Sequence, residues 1–135
     1  MTLHVEVVSP ERILWTGDAD RVIARTIGGG ELAFLTGHAP FVGALDIGTV
    51  RVHTEAGIDE VIAVHGGFVE VSHDRVTVLS DVAEVASQID LERARAAQER
   101  AEAHLRGEHD VEAEAALRRA RVRLEVATGS VGASH

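Results

Sequence analysis

The sequence has no cysteine, no lysine and no tyrosine among its 135 residues. Without cysteine there is no disulfide framework, no thiolate nucleophile and no Cys-ligated zinc. Without lysine, all 13 basic residues are arginine, and against 22 carboxylates they leave a formal net charge of −9. A surplus of acid argues against general phosphate-backbone binding, so nucleic acid is not an expected partner. No apolar run approaches the roughly 20 residues that span a bilayer, and Met1-Thr2-Leu3-His4 lacks a charged-then-apolar leader pattern; neither direct membrane insertion nor export is expected. The length suits about one domain at roughly 100 to 200 residues each, burying about two thirds of its unfolded surface.

What is present divides near Gln88. Before it, apolar residues recur at every second position: Leu3, Val5 and Val7; Val50 and Val52; Val69 and Val71; Val76 and Val78. That period marks half-buried strands. Gly28-Gly29-Gly30, the stretch 54–57, Gly66-Gly67 and Ser72-His73-Asp74 break the β-branched runs at short spacing, which predicts an antiparallel sandwich or barrel with a tight hairpin joining 69–72 to 75–79. Nothing in this half is long enough for repeated crossover helices, which argues against a parallel α/β fold.

After Gln88 the period becomes helical and alanine dominates. Leu91, Ala94, Gln98, Ala101 and Leu105 lie along one face of a first helix, with Asp90 as its N-cap and Gly107 as its stop. A second helix over 111–126 carries Ala113, Ala116, Leu117, Ala120 and Leu124, and small residues on both seams suit a close antiparallel hairpin. The expected fold is therefore mainly β plus α: an N-terminal antiparallel β-sandwich over 1–87, a two-helix hairpin over 88–126 and a frayed, disordered tail over 127–135.

Charge follows the same division. Residues 1–87 hold 13 acids and 5 arginines, net −8, whereas 88–135 hold 9 acids and 8 arginines, net −1. Arg118, Arg119, Arg121 and Arg123 crowd one stretch of the second helix, either as a solvated helix end or as a basic surface for an acidic partner or phosphate.

Autonomous catalysis finds no support. Eight histidines include no HxH or HExxH spacing, and there is neither a GxSxG elbow nor a Gly-Lys-Ser/Thr phosphate loop. The glycine triplet at 28–30 reads as a turn.

Several segments together carry a resemblance. Gly30 to Phe41 (GELAFLTGHAPF) with Leu45 and Gly48-Thr49-Val50-Arg51-Val52 resembles the "GELGILPGHAPL…L.PG.VRV" signature of the epsilon subunit of bacterial F-type ATP synthase. GGFVEV (66–71), VTVL (76–79) and IDLERA (89–94) are similar to that family's stretches in the same order and at near-identical spacing. Departures are Ala33-Phe34 for Gly-Ile, Thr36 for proline and Asp46-Ile47 for Lys-Pro.

The resemblance implies a non-catalytic rotor (central-stalk) subunit. Its sandwich binds the gamma subunit and rests on the c ring, coupling proton translocation to ATP synthesis at the cytoplasmic face of the bacterial membrane, where attachment is peripheral. Glu31 and His38, within the signature loop, are implied as c-ring contacts; each also has a local reading, as a strand-edge charge and a turn former. The family's helical tail, when extended, enters the catalytic alpha/beta head and opposes ATP hydrolysis, which would carry Arg118, Arg119, Arg121 and Arg123 to an acidic patch there. In some members the compact tail binds ATP through an I/L-D-x-x-R-A motif, matched here by Ile89, Asp90, Arg93 and Ala94, with Glu84, Arg100, Arg119 and Arg123 as the remaining implied contacts. Arginine suits phosphate because its planar fork makes bidentate, charge-assisted bonds. No cofactor is required, and ATP enters only as a regulatory ligand. A different class using the same residues is a free-standing ATP-sensing β-sandwich module.

Overall fold

The computed structural model describes residues 2–57, 59–107 and 110–129. These form β1 (Leu3–Val8), β2 (Ile13–Ala19), β3 (Arg21–Thr26), β4 (Gly30–Leu35), β5 (Phe41–His53), β6 (Asp59–Ser72), β7 (Arg75–Leu79) and β8 (Ala83–Val85), a 3₁₀ turn (Ala86–Gln88), then α1 (Leu91–Gly107) and α2 (Val111–Thr128). The period-two residues are the interior: Leu3, Val5, Val7, Val50, Val52, Val69, Val76 and Val78 are all essentially inaccessible to solvent. Alternation places them on one face of each strand, and the facing layers close over Phe34, Leu45 and Ile62.

The strands join in the order β2-β1-β7-β6-β5-β3-β4, with β8 also paired to β6. The long strands β5 and β6 serve both layers. Phe41–Leu45 of β5 and the end of β6 belong with β7, β1 and β2, whereas the second half of β5 and the start of β6 belong with β3, β4 and β8. The register between them is interrupted only opposite Asp46. Gly66 and Gly67 stand there at φ 88° and 119°, so the pair that reads as a break between strands is a bend within one. At Gly67 an added Cβ would lie 2.1 Å from the Leu79 carbonyl oxygen, so the close approach of β7 also demands glycine.

One pair departs from the antiparallel expectation: β1 runs parallel to β7. Short connections impose antiparallel pairing, and these two strands are joined only through the rest of the sandwich. The β6–β7 hairpin is as tight as its sequence predicts, with Ser72 opposite Arg75 and the two turn residues, His73 and Asp74, at φ 51° and 59°. Positive φ at both positions is the turn whose twist matches the strands.

Asp90 caps α1 by accepting from the Arg93 amide at 3.1 Å, and Asp110 caps α2 by accepting from Glu112 and Ala113. Helix α2 continues to Thr128 and ends on Gly129 in the left-handed region; residues 130–135 of the expected frayed tail lie outside the described residues. Ala94 and Ala101 of α1 meet a buried seam of Ala113, Leu117 and Ala120, while Leu91, Gln98, Leu105, Ala116 and Leu124 are only half-buried. A second stripe of α2 docks on the sandwich. Val122 and Val126 pack on Ala63, flanked by Val61, Ile47 and Ile89. Helix α2 therefore lies between the sandwich and α1.

Candidate functional site

A cleft of about 340 Å³ opens where the chain turns from the sandwich into α1, and Glu84, Gln88, Ile89, Asp90, Arg93, Ala94, Ala97, Arg100 and Arg123 line it. Its position follows from local structure. The Gln88 side chain accepts from the Val85 amide at 3.1 Å, which turns the chain out of β8, and the Asp90 cap starts the helix at once. Arg93, Ala97 and Arg100 succeed one another at helical spacing on the α1 face above the cleft, and Ala94 and Ala97 take little of its volume. Arg123 enters from α2 and Glu84 from β8.

Seven of the eight residues implied as nucleotide contacts thus converge: Glu84, Ile89, Asp90, Arg93, Ala94, Arg100 and Arg123. Arg119 does not line the cleft; its Nη2 donates to Glu112 on its own helix at 2.8 Å. Arg123 Nε donates to Glu84 Oε1 at 2.7 Å. Among the described residues, Arg93 and Arg100 have no carboxylate partner, so two exposed guanidinium groups face the opening. Chemically, the cleft offers three arginine forks, the carboxylates of Glu84 and Asp90, and apolar surface from Ile89, Ala94 and Ala97, a mixed lining of the kind that suits a ligand carrying both anionic and apolar groups.

Sequence reasoning missed His65. It follows Val61 and Ala63 on the face of β6 that α2 covers, its side chain is 4 % exposed, and its Nε2 lies 3.2 Å from Glu84 Oε1. Its Nδ1 is buried without a partner. Burial first, then the neighbouring Arg123 charge, holds the imidazole pKa below its ordinary value despite Glu84.

The arginine cluster is engaged in this arrangement. Arg118 pairs with Asp46 of β5 and Arg123 with Glu84, so two of its members pin α2 to the sandwich. Burial works to raise the Asp46 carboxyl, but the Arg118 hydrogen bond, the Ile47 amide and the Arg118 and Arg25 charges together hold it below the ordinary carboxylate range. Arg121 is exposed.

Glu31 and His38 are not brought together. Glu31 stands at the start of β4, 3.9 Å from Arg25 across the ladder, and His38 follows the other end, packed edge-on against Phe34. The four steps from Glu31 to Leu35 alone span about 13 Å at roughly 3.3 Å per residue.

On the far layer, the register Ala44–Phe68–Leu79–Val8–Ile13 makes an outward apolar row across five strands. Phe68, Leu79 and Ile13 within it, and Val42 beside it, are 56 %, 46 %, 58 % and 68 % exposed. No helix of the described residues is long and apolar enough to cross a membrane.

Comparison with known proteins places this geometry. The sequence model of the ATP synthase delta/epsilon chain β-sandwich domain matches residues 2–86, and that of the same chain's long α-helix domain matches 87–128. The chain belongs to the ATP synthase delta/epsilon family. Among members of this family named ATP synthase epsilon chain, that of Halalkalibacterium halodurans is 47 % identical over 131 residues, covering 93 % of this chain and 97 % of its own. That of Thermobifida fusca is 48 % identical over 128 residues, covering 93 % and 91 %. In fold, the chain is similar to one in Euglena gracilis mitochondrial ATP synthase in rotational state 1, with a TM-score of 0.71 at 24 % identity over 99 % of this chain and 82 % of that one. Membership makes this an epsilon-type, non-catalytic subunit of an ATP synthase.

Proposed function

We propose that the chain is a central-stalk subunit that couples rotation of the c ring to ATP synthesis and that its helical hairpin, when released from the sandwich, opposes ATP hydrolysis, with ATP in the cleft holding the hairpin down. The convergence of Glu84, Asp90, Arg93, Arg100 and Arg123 from two helices and one strand on a single cleft carries this reading. A ligand that bridges α1, α2 and β8 binds only the docked arrangement. At about 100 times its Kd it would stabilise that arrangement by roughly 2.7 kcal/mol.

The docked arrangement is of a strength such a ligand can bias. Two valines of α2 bury against the sandwich, at roughly 1.5 kcal/mol each, and the ion pairs to Asp46 and Glu84, about one quarter to one half exposed, each add about 0 to 1 kcal/mol after solvent screening. Against this stands the cost of ordering the hairpin. Release frees Arg118 and Arg123 for an acidic patch on the catalytic head, and Arg119 and Arg121 go with them.

The apolar row around Phe68 and Leu79 supports a protein partner on the opposite layer, because contiguous exposed apolar surface of this kind marks an interface; the gamma subunit is the partner proposed for it. Glu31 and His38, at opposite ends of β4, would meet the c ring at separate points rather than as one site. Attachment to the cytoplasmic face of the membrane is then peripheral and protein-mediated.

Titration calorimetry of the isolated chain with ATP, alongside Arg93→Gln and Arg100→Gln, tests the cleft. One site per chain, lost in both variants, is expected; absence of heat at millimolar ATP would end the nucleotide reading while leaving the stalk role intact.

A further inference from the structure

The hairpin packs over a buried histidine, His65, that nothing in the nucleotide reading uses. His65 Nε2 and Arg123 Nε both reach the same atom, Glu84 Oε1, at 3.2 and 2.7 Å. With Glu84 ionised and accepting, Nε2 carries the ring proton, which leaves Nδ1 as the unprotonated nitrogen. That atom is buried and has no hydrogen-bond partner, on the face of β6 against which α2 packs. A second proton would have nowhere to donate.

The charges facing the ring come from two elements. β8 supplies Glu84, and α2 supplies Arg123 and, more distantly, Arg119. On β5 the residue opposite is Ile47, and its neighbour Asp46 is occupied by Arg118. When α2 lifts away, both arginines leave with it and that face of β6 is uncovered. Glu84 stays, because β8 remains paired to β6 with Glu84 opposite Ala63. The carboxylate then lacks a counter-charge, and an imidazolium beside it supplies one.

We propose that undocking of the hairpin exchanges Arg123 for a proton on His65 at the Glu84 carboxylate, so that acidification favours the released hairpin. This rests on the reading that the hairpin moves. The docked state binds fewer protons than the released one, so docking is complete above the ordinary histidine range and weakens as pH falls below it. One proton taken up per release makes the docking constant fall by up to about tenfold per pH unit below about 6.5.

The test uses the full chain, which has no cysteine of its own. Spin labels at Glu55→Cys in the β5–β6 turn and Glu125→Cys on α2, both exposed positions, report the hairpin-to-sandwich distance from pH 5 to 8. The expected result is a long-distance population that grows on acidification in the parent and is nearly independent of pH in His65→Gln. Ring NMR of His65 in the unlabelled chain is expected to show Nδ1 protonation following the same curve, a readout that survives if the substitution disturbs the fold. Equal pH dependence in His65→Gln, or an Nδ1 proton acquired while the hairpin stays docked, overturns the exchange and leaves the moving hairpin standing. A single short distance at every pH, with and without ATP, overturns both.

Discussion

Replacing Val126 by alanine should release the hairpin without unfolding the sandwich. Val126 is 4 % exposed and packs with Val122 on Ala63, Val61, Ile47 and Ile89. The substitution removes two buried methyl groups, about 1.5 kcal/mol at roughly 0.8 kcal/mol each, or about tenfold in the docking constant. The residual cavity adds to this loss. The main core contains no α2 residue, and Val126 is solvated in the released state, so the loss falls on docking and not on sandwich stability. The spin-label pair described above reads the population directly, and thermal unfolding followed at strand and helix wavelengths reads the sandwich separately. An unchanged sandwich melting temperature with about tenfold more long-distance population is expected. A single cooperative transition, lowered as a whole with no released population, would show that the hairpin is an integral layer of the fold and would refute the two-arrangement reasoning.

Further outcomes follow from the same structure. Gly67→Ala forces a Cβ to 2.1 Å from the Leu79 carbonyl at φ 119°; a loss of several kcal/mol is expected, because both strain and a backbone clash act, and a parental melting temperature would contradict the bend. Asp46→Asn removes the Arg118 ion pair and should weaken docking by about 1 kcal/mol or less, an effect that shrinks in high salt. Because the Asp46 carboxyl is held below the ordinary range, its contribution should persist as pH falls to about 4 and vanish only below that; a contribution already lost at pH 5 would contradict the pairing. Phe68→Ser should leave the isolated chain folded but weaken its assembly with the gamma subunit, measured by rebinding to an epsilon-depleted synthase; undiminished rebinding would remove the apolar row from that interface.

Much of this was legible because the sequence is regular where packing dictates it. Alternating valines specify strands with one buried face, and the change from period two to helical spacing after Gln88 marks the hairpin. Gly66-Gly67 misled because glycines that end strands and glycines that bend one strand look alike without the partner strand; only the approach of the Leu79 carbonyl tells them apart. The parallel pairing of β1 with β7 is a contact between distant segments and leaves no local signal. His65 was also hidden, yet its parity with Val61 and Ala63 could have placed it on the face under α2. Phe68 and Leu79 likewise break the apolar-in, polar-out alternation of their strands, which is the trace an interface leaves in sequence. Ile89, Asp90, Arg93 and Ala94 of the cleft were nameable from the motif and Glu84, Arg100 and Arg123 from the wider resemblance, but Gln88 and Ala97, and the Asp46–Arg118 and Glu84–Arg123 pairs that engage the arginine cluster, needed three dimensions.

In the proposed mechanism one cleft both binds ATP and holds the hairpin against the sandwich. The most direct measurement is the distance between labels at Glu55→Cys and Glu125→Cys in the isolated chain at neutral pH, titrated with ATP in the Val126→Ala background, where the released population is large enough to follow. ATP should convert the long distance to the short one along the calorimetric binding curve, and adding Arg93→Gln should abolish the conversion. Saturable ATP binding that leaves the distance distribution unchanged would contradict the coupling of the cleft to the hairpin.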